Sequence, residues 1–404
     1  MRQTLDGFYT LEERIFYVLL LLGGGLVAVG LMAAHYMEVH GHIVTGMNNQ
    51  IVWGLPHVFA IFLIVAASGV LNVASIGSVF GKTLYKPRAP LSGLLCVAML
   101  AGGLMVLMLD LGRPDRVIVA ATHYNFTSVF AWNVFLYSGM VAIVAVYLWT
   151  MFERRMNRWS RTAGLAALVW RFALTTGTGS IFGFLVARQA YESALLAPLF
   201  IVMSFGWGLA VFLLVQSAMY AWNAQQLPEA VHKRMARLLG VFVAGTLYLV
   251  GVYHLTNLYF ARQGSFEAFI LLGHGDTNLE FPLLFWGGYV LLGALVPLVL
   301  LFHPRLGGLR CALAASALVV LGAFALLYVF IIGGQAFPLD IFPGYTVSSS
   351  FADGAVTHYR ASLPEWLLGL GGVGAAFVLT MIGVRVLNFL PQDDFASLAV
   401  AAKD

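Results

Sequence analysis

What most limits the fold of this chain is a set of ten apolar runs, at about 15–37, 51–76, 91–112, 129–152, 163–187, 194–222, 237–260, 283–303, 310–332 and 365–390. Each is close to the ~20 residues that a helix needs to cross the hydrocarbon layer of a bilayer. At that depth no water is available to backbone N–H and C=O groups, so each crossing segment must satisfy its own hydrogen bonds, as a helix does. The expected fold is an all-α polytopic integral membrane protein with about ten transmembrane helices. Composition agrees: 60% of the 404 residues are hydrophobic and 10% are charged, against roughly 25% charged in soluble domains.

Basic residues orient the spans. Of 22 Lys and Arg, sixteen fall on one side, among them Arg154, Arg155, Arg158 and Arg161, while the other side holds Arg113, Arg116, Arg188, Arg262 and Arg360. Arg171 lies inside a span, where it is expected to snorkel toward the inner interface or to help hold a proton path with the Thr/Gly stretch 174–184. The positive-inside rule then places both termini in the cytoplasm, with the chain in the cell inner (cytoplasmic) membrane. The net charge of +4 is thus a topology signal, not a nucleic-acid surface. The N-terminal stretch reads as a first span more than a cleavable signal.

Several chemistries are absent from the sequence. There is no P-loop and no GxGxxG. The two cysteines, Cys96 and Cys311, lie far apart without CxxC or CxxCH spacing, so the chain alone cannot hold an iron–sulfur cluster or a covalently attached haem. Both read as small apolar fillers. Glycines in 174–184 and 368–377 suit close helix approach. Two outer segments are long, 261–282 and 333–364. Their Pro, Gly and aromatic content, including Phe337, Phe342, Tyr345 and Phe351, suits structured caps that dock a partner.

Acidic side chains are nearly absent from the spans, and Asp110 at the outer end of the third stands out. A charge within a membrane helix is costly and usually placed for a reason. Gly112 is expected to end that helix, Pro114 to prevent its resumption, and Arg113 to pair with Asp110 or with a ligand headgroup. Other polar groups fall at similar depth: His57, then Asn133 and Tyr137 four residues apart on one helix face, then His254 and Asn257. At 1.5 Å rise per residue, all lie within ~12 Å of the outer interface. Together they suit a small amphiphile that is hydrogen-bonded and exchanges protons, such as a quinol headgroup. His57 with His254 could alternatively ligate a b-type haem, although His232 and His303 read as loop or interface residues with no partner pattern. A secondary transporter is a further alternative; it calls for a midplane site and an inverted repeat.

The stretches "LDLGRP" (109–114) and "NFTSVFAWNVFLY" (125–137), supported by "WGLPHVFAIFLIVAASG" (53–69) and "GSIFGFLVARQAYESA" (179–194), resemble the signature of the NrfD/PsrC family of quinone-interacting membrane subunits. Within it they are most similar to the DsrP group of the DsrMKJOP complexes of dissimilatory sulfur metabolism. The resemblance implies two four-helix bundles (about 15–152 and 163–303) and two additional C-terminal helices (about 310–390) in a single membrane domain. It implies an exchangeable menaquinone or ubiquinone, no intrinsic haem or iron–sulfur cluster, and a DsrO-like iron–sulfur partner on the outer face with DsrJ-, DsrM- and DsrK-like subunits. Such a chain is non-catalytic alone, or the quinone-reactive subunit of an oxidoreductase complex. Asp110, Arg113, Asn125 and Trp132 match the family motif. His57, Tyr137, Asn133 and His254 join the candidate quinone site on depth and chemistry, with Asp110, His57 and Tyr137 as candidate proton relays.

Overall fold

The computed structural model describes residues 13–223, 225–273, 279–339, 354–387 and 389–390. Among them every regular element is helical, and ten helices are long and apolar enough to cross a membrane. These are α1 (Phe16–His40), α2 (Leu55–Ser78), α3 (Thr83–Leu109), α4 (Val129–Phe152), α5 (Arg154–Gly183), α6 (Leu196–Trp222), α7 (Glu229–Tyr259), α8 (Glu280–Phe302), α9 (Leu309–Ala336) and α10 (Leu363–Val386). The protein is a multi-pass integral membrane protein, and all ten predicted spans are present. The termini with Arg2 and Lys403, and the loop aromatics Phe342, Tyr345 and Phe351, lie outside the described residues.

Two of the boundaries that differ from the sequence reading bear on packing and on the site. Helix α7 begins about two turns early because those turns are amphipathic. Val231, Met235 and Leu239 form a buried stripe at intervals of four, while Lys233 pairs with Glu229. His232, expected in a loop or at the interface, is buried in this helix. At the other end of the bundle, α3 stops at Leu109 with Asp110 as its cap, before Gly112 is reached. Pro114 does not prevent helix from resuming. It opens a 3-10 turn, Pro114–Arg116, that leads into a short helix, Val117–Thr122, as suits a residue with fixed φ and no N–H to satisfy.

Helix α2 is the hub. It is apolar all round, buried along nearly its whole length, and packs on α3, α5, α6 and α10. Its approach to α6 requires glycine on both sides: a Cβ on Gly69 would lie 1.6 Å from the Ser204 carbonyl oxygen. The last span turns back to the first. Helix α10 packs along α1, α2 and α3, and a Cβ on Gly371 would lie 2.8 Å from Gly30 Cα. In lipid, where apolar faces gain nothing by leaving the solvent, such backbone proximity is what selects helix partners.

Arg171 does not snorkel. It is buried on α5, its Nη1 donating to the Ser68 carbonyl at 3.4 Å, with its guanidinium over the rings of Phe172 (5.2 Å) and Phe205 (5.6 Å). The hydroxyls of Ser68 and Thr175 hydrogen-bond beside it at 2.7 Å. Acceptors and aromatic faces within the bundle thus replace the water that a snorkelling side chain would seek. The neighbouring threonines bond back to their own helix, Thr175 to the Arg171 carbonyl and Thr178 to that of Leu174.

Candidate functional site

At the end of the bundle where α1 finishes and α2 begins lies a cavity of about 840 Å³. Three elements supply its chemistry. His57 sits in the first turn of α2, Asp110 caps α3, and Asn133 and Tyr137 stand one turn apart on α4. Helix α3 ends where it does because "DLGRP" breaks the apolar run. That termination leaves the carboxylate at the rim of the bundle, with the His57 imidazole beside it.

His57 Nδ1 lies 3.0 Å from Asp110 Oδ2, with the side chains 15% and 2% exposed. A carboxylate accepts only, so the imidazole donates from Nδ1 and leaves Nε2 as an acceptor. Trp53, one turn before His57, stacks on the imidazole at 5.7 Å between centroids. Asn133 is buried and donates from Nδ2 to the carbonyls of Val129 (2.9 Å) and Gly177 (3.4 Å). Two acceptors, Asp110 Oδ1 and Asn133 Oδ1, are buried without a hydrogen-bond partner among the described residues. Buried oxygens left without partners cost free energy unless a ligand or water supplies a donor. The Tyr137 hydroxyl lies against Thr178 of α5. Exposed apolar residues at the cavity margin, including Ile43, Met108, Leu111 and Phe130, make a lipid-compatible mouth.

The remaining predicted site residues lie elsewhere. Arg113 is on the surface and pairs with Asp115 (3.0 Å), not with Asp110. That pairing holds the Asp115 carboxyl below its ordinary pKa through the hydrogen bond from the guanidinium. The short spacing of two residues brings Asp115 to the guanidinium in water, so no charge has to enter the cavity. Asn125 is exposed and accepts from the backbone N–H (3.0 Å) and hydroxyl (2.8 Å) of Thr127, shaping the loop before α4. Trp132 is also exposed and donates from its indole to the Phe126 carbonyl at 2.6 Å. Neither lines the cavity.

His254 belongs to a different cluster. Its Nδ1 lies 2.7 Å from Glu267 Oε2, and Asn257 donates to Glu267 Oε1 at 2.7 Å. Glu267 sits on the short helix Gly264–Leu272 and is fully buried. His57 and His254 do not face one shared pocket: each pairs through Nδ1 with its own carboxylate, and they line separate cavities. Phe337, one of the aromatics expected in a partner-docking cap, is half-buried and packs on Phe266 and Phe269 of that short helix.

Three residues escaped the sequence reading. Trp53 had a usable signal, its spacing of four from His57. Glu267 had none, because it sits in a segment read as a loop. His42 also lines the cavity, from a connection whose fold no periodicity announces.

Residues 43–339 match the family model described as polysulphide reductase, NrfD. Over 385 residues the chain is 27% identical to the Hdr-like menaquinol oxidoreductase integral membrane subunit of Archaeoglobus fulgidus, covering 93% of this chain and 94% of the relative. It is 21% identical to a selenate reductase subunit of Mesobacillus selenatarsenatis, over 90% and 92% of the two chains. Protein NrfD of Escherichia coli is 25% identical, over 71% of this chain and 96% of its own.

Proposed function

Since this chain belongs to the NrfD family, we propose that it is the quinol-reactive membrane subunit of a multisubunit oxidoreductase, passing electrons from the quinol pool to an iron–sulfur partner. The observation that carries this reading is the cavity itself. It holds a hydrogen-bonded His57–Asp110 pair and two unpartnered buried acceptors inside an apolar, lipid-compatible pocket. Its volume suits a ligand of this class. A quinol has two hydroxyl donors for those acceptors. Its oxidation breaks two O–H bonds and releases two protons and two electrons. His57 Nε2 takes a proton, Asp110 stabilises the resulting imidazolium, and Tyr137 with Asn133 holds the headgroup in place. The electrons leave to one-electron iron–sulfur centres in the partner.

The names of the relatives support the wider setting. One is a menaquinol oxidoreductase subunit and another a selenate reductase subunit; the first favours menaquinone over ubiquinone here. The finer assignment rests on the motif stretches: a DsrP-like subunit of dissimilatory sulfur metabolism, with DsrO-, DsrJ-, DsrM- and DsrK-like partners. The Lys/Arg distribution supports cytoplasmic termini in the inner membrane. The cavity then opens on the outer side, where the segments 261–282 and 333–364 receive the iron–sulfur subunit.

A photoreactive azidoquinone applied to membranes tests the site. Labelling is expected on α2, α4 or the end of α3, with competition by unlabelled menaquinone. Label confined to other helices overturns the reading. Tyr137→Phe removes one hydrogen bond of about 0.5–1.5 kcal/mol, so quinol affinity should fall roughly two- to tenfold.

A further inference from the structure

Beside the large cavity lies a second, of about 160 Å³, between the end of α1 and the turn after α3. His35, Glu38 and His42 contribute its titratable side chains, and His42, Leu111 and Gly112 line both cavities. His42 therefore stands in the wall between them. Its ring packs on Gly112, where an added Cβ would lie 3.6 Å from Cδ2 and 3.7 Å from Nε2. Gly112 is two residues beyond Asp110. The His42 Nδ1 is buried without a hydrogen-bond partner among the described residues. The turn that presents it is well defined. Gly41 takes a left-handed φ of 78°, and the His42 carbonyl accepts from both the backbone N–H (3.0 Å) and the hydroxyl (2.6 Å) of Thr45.

From these observations we infer that His42 relays protons from the His57–Asp110 pair into a hydrated vestibule built by the end of α1. This rests on the quinol reading above. A proton released in an apolar pocket must leave before the pair can accept the next. The second cavity far exceeds the ~10–15 Å³ that one water needs and has polar groups to hold it. Both Glu38 and His35 are exposed on α1 and can pass the proton to bulk water. The titratable groups that line the two cavities with His42 are His35 and Glu38 from α1, Asp110 from the end of α3, His57 from α2 and Tyr137 from α4; Arg113 and Asp115, on the surface, pair with one another. Each oxidised quinol gives its two electrons to the partner's iron–sulfur centres and its two protons, in turn, to His57–Asp110, then His42, then water. His42 takes a proton on one ring nitrogen and gives one up to the vestibule, so it returns to its starting state. His35, Glu38 and His42 all precede residue 43, where the family match begins.

The test uses the intact membrane complex carrying His42→Ala. Quinol-dependent reduction of the partner should slow by about a hundredfold, the low end of what a positioned proton-transfer group contributes. Affinity for a quinone analogue should stay unchanged, and added imidazole should restore turnover in His42→Ala but not in His57→Ala. Unchanged turnover, slowed turnover that imidazole does not rescue, or lost analogue affinity each overturns the relay. If the His42 variant fails to assemble, the exposed double variant His35→Gln/Glu38→Gln carries the test: slowed turnover with unchanged analogue affinity supports the vestibule, and full turnover overturns it. If His57→Ala itself keeps full turnover, or the wild-type complex binds no analogue in the large cavity, it is the quinol reading that fails.

Discussion

Replacing Asp110 by Asn is the sharpest perturbation of the proposed site. The carboxylate accepts from His57 Nδ1 at 3.0 Å while only 2% exposed. A hydrogen bond to a charged group in such surroundings contributes about 1.5–3 kcal/mol. Asparagine keeps the shape, but it cannot stabilise an imidazolium, and its amide can donate to Nδ1 and turn the ring to the wrong tautomer. The missing stabilisation appears when the proton has left the quinol, so it raises the barrier more than it weakens binding. At 1.36 kcal/mol per decade, turnover should fall by about ten- to a hundredfold, with KM little changed. The assay is quinol-dependent reduction of the iron–sulfur partner in membranes, normalised to assembled complex, beside the affinity for a quinone analogue. Turnover per assembled complex within about twofold of wild type, a change too small for the loss of such a bond, would refute the argument. Asp110 would then be a helix cap that steadies the end of α3, and any loss of activity would follow assembly.

Three further outcomes are expected. His254→Ala leaves the buried Glu267 carboxyl short of a partner and should lower thermal stability by about 1–3 kcal/mol; quinol turnover per complex should not change, and a loss of turnover would return His254 to the site. Gly371→Leu forces a branched side chain where even a Cβ meets Gly30 Cα at 2.8 Å. Overpacking of this kind costs about 1–3 kcal/mol or more, and it should loosen α1, seen as faster proteolysis of the α1–α2 connection; wild-type protease resistance would count against the packing. A reporter fused after Asp404 should be active only in a cytoplasmic assay, and activity on the opposite side would reverse the proposed orientation.

Much of this protein is determined along one dimension. Bilayer thickness sets a length of apolar chain, and that length is legible residue by residue, so all ten spans were readable from hydropathy alone. Depth is readable for the same reason, and it groups His57, Asp110, Asn133 and Tyr137 at one level. Depth cannot say which residues at one level share a cavity. His254 has the right depth but faces Glu267, and Arg113 has the right motif position but reaches Asp115 in water. Lateral arrangement is set by small differences among surfaces that are all equally apolar to lipid. Whether α10 lies beside α9 or returns to α1 depends on where glycines let backbones touch, as Gly30 does with Gly371. Only the tertiary structure decides that, because close packing between helices distant in the chain leaves no periodicity within either one. The wall between the two cavities is decided in the same way: His42 acquires its position from a turn in α1's connection and from Gly112 across the bundle, two segments that carry no shared pattern until they meet.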